Sequence, residues 1–490
     1  MEHEQRNLVS REETEGSALE GGGVSRREFL KIAGIAGATI GVGAGLGGLL
    51  AGCGEEGATT TTGGATTTAG ATTTAGATTT VSAEAEMGRE IKIGFPSPQT
   101  GPAAAFGVPD TYSISRWEEA TKDGVMLGDG KKHTFKFLLR DTQSDVNRGA
   151  QVSGDLINND KVDMMVVASA PDTVTPAVDT SEAMGVPCLS TICPMGTYFS
   201  SRGLDNAKEY KWGYNYFWLN EDLAQMYLAM YEKVPSNNVL GYMFPNDADG
   251  LGDRLTQPPV YEAAGIRTVD GGAYQPLSEN YTDSIAKFKA EGCELFIGDM
   301  IPPDFTNFWK QSLQQGYQPK AAGFMKGILF PEALEAVGDV GLNLITECWW
   351  HPLFPYKSSL TGETCQELAD HFQTTQNRQW TQPLGGYLLG EWAVDVFKRA
   401  PNPDDKDGIA QAVKITKLDT IMGPIDFAAP VDAMGLHPYP NGCRSPIVGS
   451  QWIFGAEIGS TYKYEEILTV NPTPWAPGIE VNNEIRPMKY

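Results

Sequence analysis

From Ile91 onward the chain repeats one rhythm, a short apolar run, a loop and an amphipathic stretch, and this alternation constrains its fold more than any other feature. Ile91-Lys92-Ile93-Gly94-Phe95 is an apolar run that breaks at a Pro/Gly-rich loop over 96–107. A helix is predicted over 112–121, then a strand over 133–140 in which Phe135, Phe137 and Leu139 alternate. Over 148–159, Ala150, Gly154 and Ile157 share one helical face. Residues 162–168 are almost continuously apolar, as a central parallel strand should be. Helical spacing returns over 173–184, and 186–190 is a fourth strand. The rhythm then restarts, with strands predicted over 238–243, 267–273 and 295–298 and helices over 253–264, 281–290 and 303–316. After Trp349 the elements are looser, with a helix over 382–398 and a shorter one over 407–414. Such alternation means open α/β sheets with right-handed crossovers. Two such units predict two doubly wound α/β lobes, with a cleft between them facing the carboxyl ends of the strands.

Residues 1–52 are set aside as a leader. Ser25-Arg26-Arg27-Glu28-Phe29-Leu30-Lys31 is a twin-arginine export signal, with Arg26 and Arg27 as its defining pair. Residues 32–50 are apolar but diluted with glycine and alanine, and they run into Leu50-Ala51-Gly52-Cys53. An uncleaved anchor of about 20 residues is the competing reading. Small residues before a lone cysteine mark a processing site. The stretch resembles the lipobox of bacterial lipoproteins, in which the cysteine, here Cys53, is lipidated and everything before it removed. Residues 53–86 follow, built largely from Thr, Ala and Gly with an imperfect repeat, Ala-Thr-Thr-Thr-Ala-Gly. Such a stretch cannot bury enough apolar surface to offset its ordering entropy. As a flexible coil of ~30 residues it would span roughly 30 Å, which makes it a tether.

The remaining length, 87–490, suits two compact lobes better than one core. A formal net charge of -24 argues against nucleic acid and against a polybasic membrane surface as partners. Beyond Cys53 lie Cys188, Cys193, Cys293, Cys348, Cys365 and Cys443, an even number in a chain sent to an oxidising space. Cys348 with Cys365, which bracket a Pro-rich loop, is the favoured pairing. Free buried thiols are the alternative, because twin-arginine export carries proteins already folded.

Four stretches, in order, carry a family resemblance. The first is Ile91-Lys92-Ile93-Gly94-Phe95-Pro96 leading into Thr100-Gly101-Pro102-Ala103-Ala104-Ala105-Phe106-Gly107. The second is Arg140-Asp141-Thr142-Gln143-Ser144-Asp145, then Lys161-Val162-Asp163. Asn246-Asp247-Ala248-Asp249-Gly250-Leu251-Gly252 is the third, and Leu418-Asp419-Thr420-Ile421-Met422-Gly423-Pro424 the fourth. With them the chain resembles the branched-chain amino-acid type of ABC-transporter substrate-binding proteins, of the Leu/Ile/Val-binding-protein-like, periplasmic binding protein type I fold. The resemblance implies two lobes joined by three crossovers, one lobe from 87–213 and 350–450, the other from 214–349 and the closing strands and tail of 451–490. It implies a small-molecule solute, ABC-transporter permease subunits as partners and a place at the outer face of the cell membrane. No cofactor is implied.

The resemblance also places a site. Phe106 matches the aromatic that packs on the ligand, with a lid-loop core residue as the alternative. In the loop after the third strand, Ser169, Asp172 and Thr173 are candidates, the last two equally readable as helix caps. Pro171 departs from the family's usual serine and offers neither hydroxyl nor N–H. Ile192 and Cys193 can offer backbone contacts, and Pro194 replaces a threonine. Asp249 lies where many members carry an aromatic. Lys326 falls near the acidic residue that pairs with a ligand's ammonium, with an exposed lysine as the alternative. A lysine facing the cleft would repel an α-amino group. These departures, with Trp349, Trp350, Phe354 and Tyr356, point to a carboxylate, an amide or an aromatic acid as solute rather than a simple branched-chain amino acid.

Two other functions compete. A receptor subunit of a sensory system would use the same fold. A hydrolase would need a nucleophile and a base, and Cys193 has no basic partner in any motif. His133, His351, His371 and His437 show no metal-ligand spacing, and no HExxH, phosphate loop or nucleophile elbow is present.

Overall fold

The computed structural model describes residues 85–200, 210–429, 431–433, 436–439, 441–472 and 478–490. The expected export signal at Arg26 and Arg27, the expected lipidation site Cys53 and the expected tether up to 84 lie outside them. Residues 81–490 form one compact unit, built on two large sheets.

The first sheet holds β1 (Ile91–Ser97), β2 (Phe135–Asp141), β3 (Met164–Val167), β4 (Cys188–Thr191) and β5 (Gly213–Tyr216). They run parallel in the order β2-β1-β3-β4-β5. The second holds β6 (Val239–Met243), β7 (Arg267–Asp270), β8 (Leu295–Asp299), β9 (Ala321–Met325) and β10 (Ile345–Cys348), in the order β7-β6-β8-β9-β10. The two orders are the same doubly wound pattern, whose switch point lies between the first and third strand of each set. β3, β8 and β9 are buried along their whole length, and the sequence matches this with continuous apolar runs.

The chain passes between the sheets three times. It leaves the first after β5 and enters the second at β6. It returns after β10, and β11 (Gly442–Cys443) adds to the first sheet beside β5. It then crosses back, so that β12 (Val448–Phe454) extends the second sheet antiparallel to β10, and β13 (Tyr464–Val470) pairs antiparallel with β12 at the edge. The return segment packs on the first sheet through the helix Leu388–Arg399, which lies against β3 and β4. Trp117 Nε1 donates to Tyr387 O at 3.0 Å beside it. The helix expected over 382–398 is a 3-10 turn over Gln382–Tyr387 followed by this α-helix. Among the described residues, no helix is long and apolar enough to cross a membrane.

The expected Cys348–Cys365 disulfide is not formed. Cys348 ends β10, and its thiol donates to Trp350 O at 3.4 Å. Cys365 opens a helix capped by Thr364 and donates to Ile421 O at 3.2 Å. Both are free and buried, as are Cys293 and Cys443. Burial pushes the Cys365 thiol up to about 12 and that of Cys348 well above its ordinary value. Few thiolates are therefore available for oxidation.

Candidate functional site

Parallel strands deliver their following loops to one edge of the sheet, and both sheets aim that edge at the same cavity. It holds about 410 Å³ of space not filled by atoms, its open mouth included. The first lobe contributes Phe106 after β1, Ala170 and Pro171 after β3, and Ile192 and Pro194 after β4. The second contributes Asp249 and Asp253 after β6, Asp299 at the end of β8, Met325, Lys326 and Leu329 from β9 onward, and Glu347 in β10. Phe217, Trp218 and Leu223 from the first crossing, and Trp349 from the second, complete the wall. The lobes touch at the rim, where the Phe106 and Phe330 rings meet edge to face at 5.0 Å.

Strain marks these loops. Ser169, Ala170, Ile192 and Lys326 all have positive φ, of 85°, 68°, 53° and 58°. For a β-branched residue such as Ile192 this is a true outlier, and backbone strain of this kind gathers at ligand sites. Ala170 N donates to Ile192 O at 2.8 Å, which ties the two strained turns together. On the opposite side, Asp247 caps the helix Ala248–Ala263 by accepting from Gly250 N at 2.9 Å, so Asp249 sits in the first turn. A Cβ on Gly250 would lie 1.9 Å from Pro245 O, and only glycine allows this turn to close.

Lys326 faces the cleft, but its charge is already engaged. Its Nζ donates to Asp249 Oδ2 at 2.7 Å and lies 3.0 Å from Asp299 Oδ1. Burial pulls the ammonium down, yet the charges of Asp249 and Asp299 outweigh it and hold Lys326 protonated. Burial also lifts Asp249 and Asp299 above the usual carboxylate range, against the pull of Lys326. Asp253 is pushed up to about 7 by burial and by the charge of Asp249. Glu347 is satisfied, accepting from Lys326 N at 3.1 Å and from the Tyr227 hydroxyl at 2.8 Å. The repulsion expected between Lys326 and an α-amino group is therefore cancelled by its own aspartate partners. Four carboxyl groups line the cavity against one ammonium.

Of the residues singled out from sequence, Phe106, Ile192, Asp249 and Lys326 line the cavity. Ser169, Asp172, Thr173 and Cys193 do not. Ser169, Thr173 and Cys193 are buried elsewhere, and Asp172 is exposed. The helix Pro171–Met184 has no side-chain cap, so Asp172 and Thr173 do not act as one. The Cys193 carbonyl accepts from Asn215 Nδ2 at 3.0 Å. Trp350 packs on Trp380 and Phe354 on Tyr356, leaving only Trp349 of that aromatic group on the wall. Asp253, Asp299, Glu347, Phe217 and Trp218 were not anticipated. A usable signal existed: Asp299 is an acid at the end of an otherwise apolar strand and Glu347 lies inside a fully buried one, where a charge needs a reason.

Residues 90–440 match the profile of the periplasmic binding protein family. The chain belongs to that family. Periplasmic binding proteins bind ligands between two lobes, and the cavity above lies between the carboxyl edges of two such sheets. A leucine-binding protein of Thermotoga maritima superposes with a TM-score of 0.62 at 15% identity, covering 78% of this chain and 99% of that one. The branched-chain amino acid transporter substrate-binding protein of Streptococcus pneumoniae, in complex with isoleucine, gives 0.60 at 15% identity, covering 77% and 99%. A solute-binding protein of an ABC transporter from Rhodopseudomonas palustris BisB5, in complex with 3,4-dihydroxybenzoic acid, gives 0.62 at 15% identity, covering 79% and 99%. At such identities the likeness is one of fold.

Proposed function

We propose that the protein captures a small solute in this cleft, closes on it, and delivers it to the permease subunits of an ABC transporter. A lipid on Cys53 would hold it at the outer face of the cell membrane, with 53–86 as the tether. The observation that carries the reading is a single cavity walled by both lobes and by the segments that cross between them. A solute touching both walls stabilises the closed form over the open one, which is how such a hinge reports occupancy. Two proteins of this fold are found in complex with an amino acid and with an aromatic acid, which supports solutes of that size. Among the chemistries the sequence admits, the four carboxyl groups on the wall favour solutes that donate hydrogen bonds, through an amino or amide group. An organic acid meets the same buried carboxyl groups.

The test is a thermal-shift and titration screen of small solutes, with tryptophan emission as a second readout because Trp218 and Trp349 line the wall. Phe106→Ala is expected to weaken the bound solute roughly tenfold, as for a central aromatic anchor, and also to lower the unfolding midpoint of the solute-free protein, because Phe106 is buried against Phe330. Unaltered affinity in that variant would place the solute elsewhere. Permease genes adjoining this one would favour transport over a sensory role.

A further inference from the structure

Asp299 is 1% exposed; its Oδ1 is paired with Lys326 Nζ at 3.0 Å, while its Oδ2 has no hydrogen-bond donor and no ion partner. On the first crossing, Trp218 is 4% exposed, and its indole N–H has no acceptor. Both residues line the same cavity. A buried donor or acceptor left unpaired is costly, and native proteins rarely tolerate one without a use. One orphaned acceptor and one orphaned donor facing one cavity describe the polar complement of whatever fills it.

Charge narrows that complement. Lys326 is the one cationic side chain on the wall, and its ammonium is held by Asp249 and Asp299. A carboxylate on the solute would find no unspent cation there, only further carboxyl groups. Backbone donors do not replace one, because Pro171 opens its helix without an N–H and Pro194 lacks one too. A donor-bearing cation, by contrast, would give Asp299 Oδ2 the donor it lacks and offset the acidic excess. The rest of the wall is apolar and largely aromatic.

We propose, resting on the solute-binding reading of this cleft, that the solute is an organic amine without a carboxylate. Its ammonium donates to Asp299, an apolar body lies along Phe106, Phe217 and Trp349, and an oxygen on that body accepts from Trp218 Nε1. The solute class thus departs from amino acids at the carboxylate and keeps the amine.

Calorimetric titration of the full chain at neutral pH tests this with phenethylamine, phenylalanine and 3-phenylpropionate, which share a skeleton and differ in charge, and with tyramine as a hydroxylated amine. The amines are expected to bind more tightly than the zwitterion or the acid. Asp299→Asn should weaken the amines roughly 10- to 100-fold, the range for a hydrogen bond to a charged group. Trp218→Phe, which removes the N–H and one ring, should weaken tyramine severalfold more than phenethylamine. It also serves as the second arm should Asp299→Asn not fold. Tighter binding of phenylalanine or 3-phenylpropionate overturns the amine assignment while leaving solute binding intact. If none of the four binds, mass spectrometry of the solute retained by the purified protein decides: an amine without carboxylate upholds the assignment, and an acid or zwitterion overturns it. A protein that binds no probe and retains no solute overturns the solute-binding reading itself.

Discussion

Replacing Lys326 with methionine is expected to cost about 3–5 kcal/mol of folding stability near neutral pH, the range for breaking a buried ion pair from one side. The loss is not that of one attraction. Methionine leaves Asp249 and Asp299 buried with no counter-charge, and their desolvation then stands uncompensated. Two controls separate this from simple loss of packing. Adding Asp299→Asn to Lys326→Met should recover part of the stability, because one of the stranded carboxylates is gone. Lowering the pH should also narrow the gap between variant and parent, since protonated aspartates need no partner. Denaturant midpoints at pH 5.5 and 7.5 measure both effects. A Lys326→Met protein as stable as its parent at pH 7.5 would show that the ammonium does not hold this cluster together.

The same cluster shows where sequence reasoning succeeds and where it stops. Strand positions were readable because a parallel strand covered on both faces must be apolar throughout, as in Leu295–Asp299 up to its last residue. Loops following such strands reach the cleft, and the family resemblance pointed to Phe106, Ile192, Asp249 and Lys326 in them, which line the cavity. Their partners could not be read in this way. The pairing of Lys326 with Asp249 and Asp299 joins residues far apart in the chain, and nothing local in any of the three segments signals it. The helix Asn220–Tyr231 was missed for a different reason: most of its residues are buried, so it has no polar stripe to reveal a 3.6-residue period. The helix Cys365–Gln376 did carry a signal, the reciprocal hydrogen bonds of Thr364 and Glu367. Loop residues such as Ser169 and Cys193 were assigned by position alone, and position does not say which way a strained turn sends its side chain.

Stability should fall by several kcal/mol as pH rises from about 5.5 to 8.5, at about 1.4 kcal/mol per unit of pKa shift, which is opposite to the usual behaviour of paired carboxylates. Burial pushes Asp110 and Asp253 up to about 7, and Glu391 and Glu466 up to about 8. In the unfolded chain the same groups release their protons near pH 4. Between those limits the folded state holds protons that the unfolded state has lost, so raising the pH favours unfolding. The stabilisation is complete below the unfolded values and is lost through the folded ones. His351 works the other way. Burial lowers it to about 4, consistent with a neutral ring whose Nδ1 accepts from Leu353 N at 3.1 Å and whose Nε2 donates to Glu466 O at 3.2 Å. It therefore removes stability as pH falls below its ordinary value. One histidine opposes four carboxyl groups, each shifted by a similar or larger amount, and the carboxyl groups prevail. Ser450 and Gln382 both donate to one Glu466 carboxyl oxygen, and the other oxygen has no hydrogen-bond partner. Thermal unfolding across this pH range measures the slope. Glu391→Gln and Glu466→Gln, which mimic the protonated forms, should flatten it and raise the midpoint most at pH 8.5. A midpoint that climbs with pH in the parent would mean that these four groups are ionised in the folded protein and held by partners of their own.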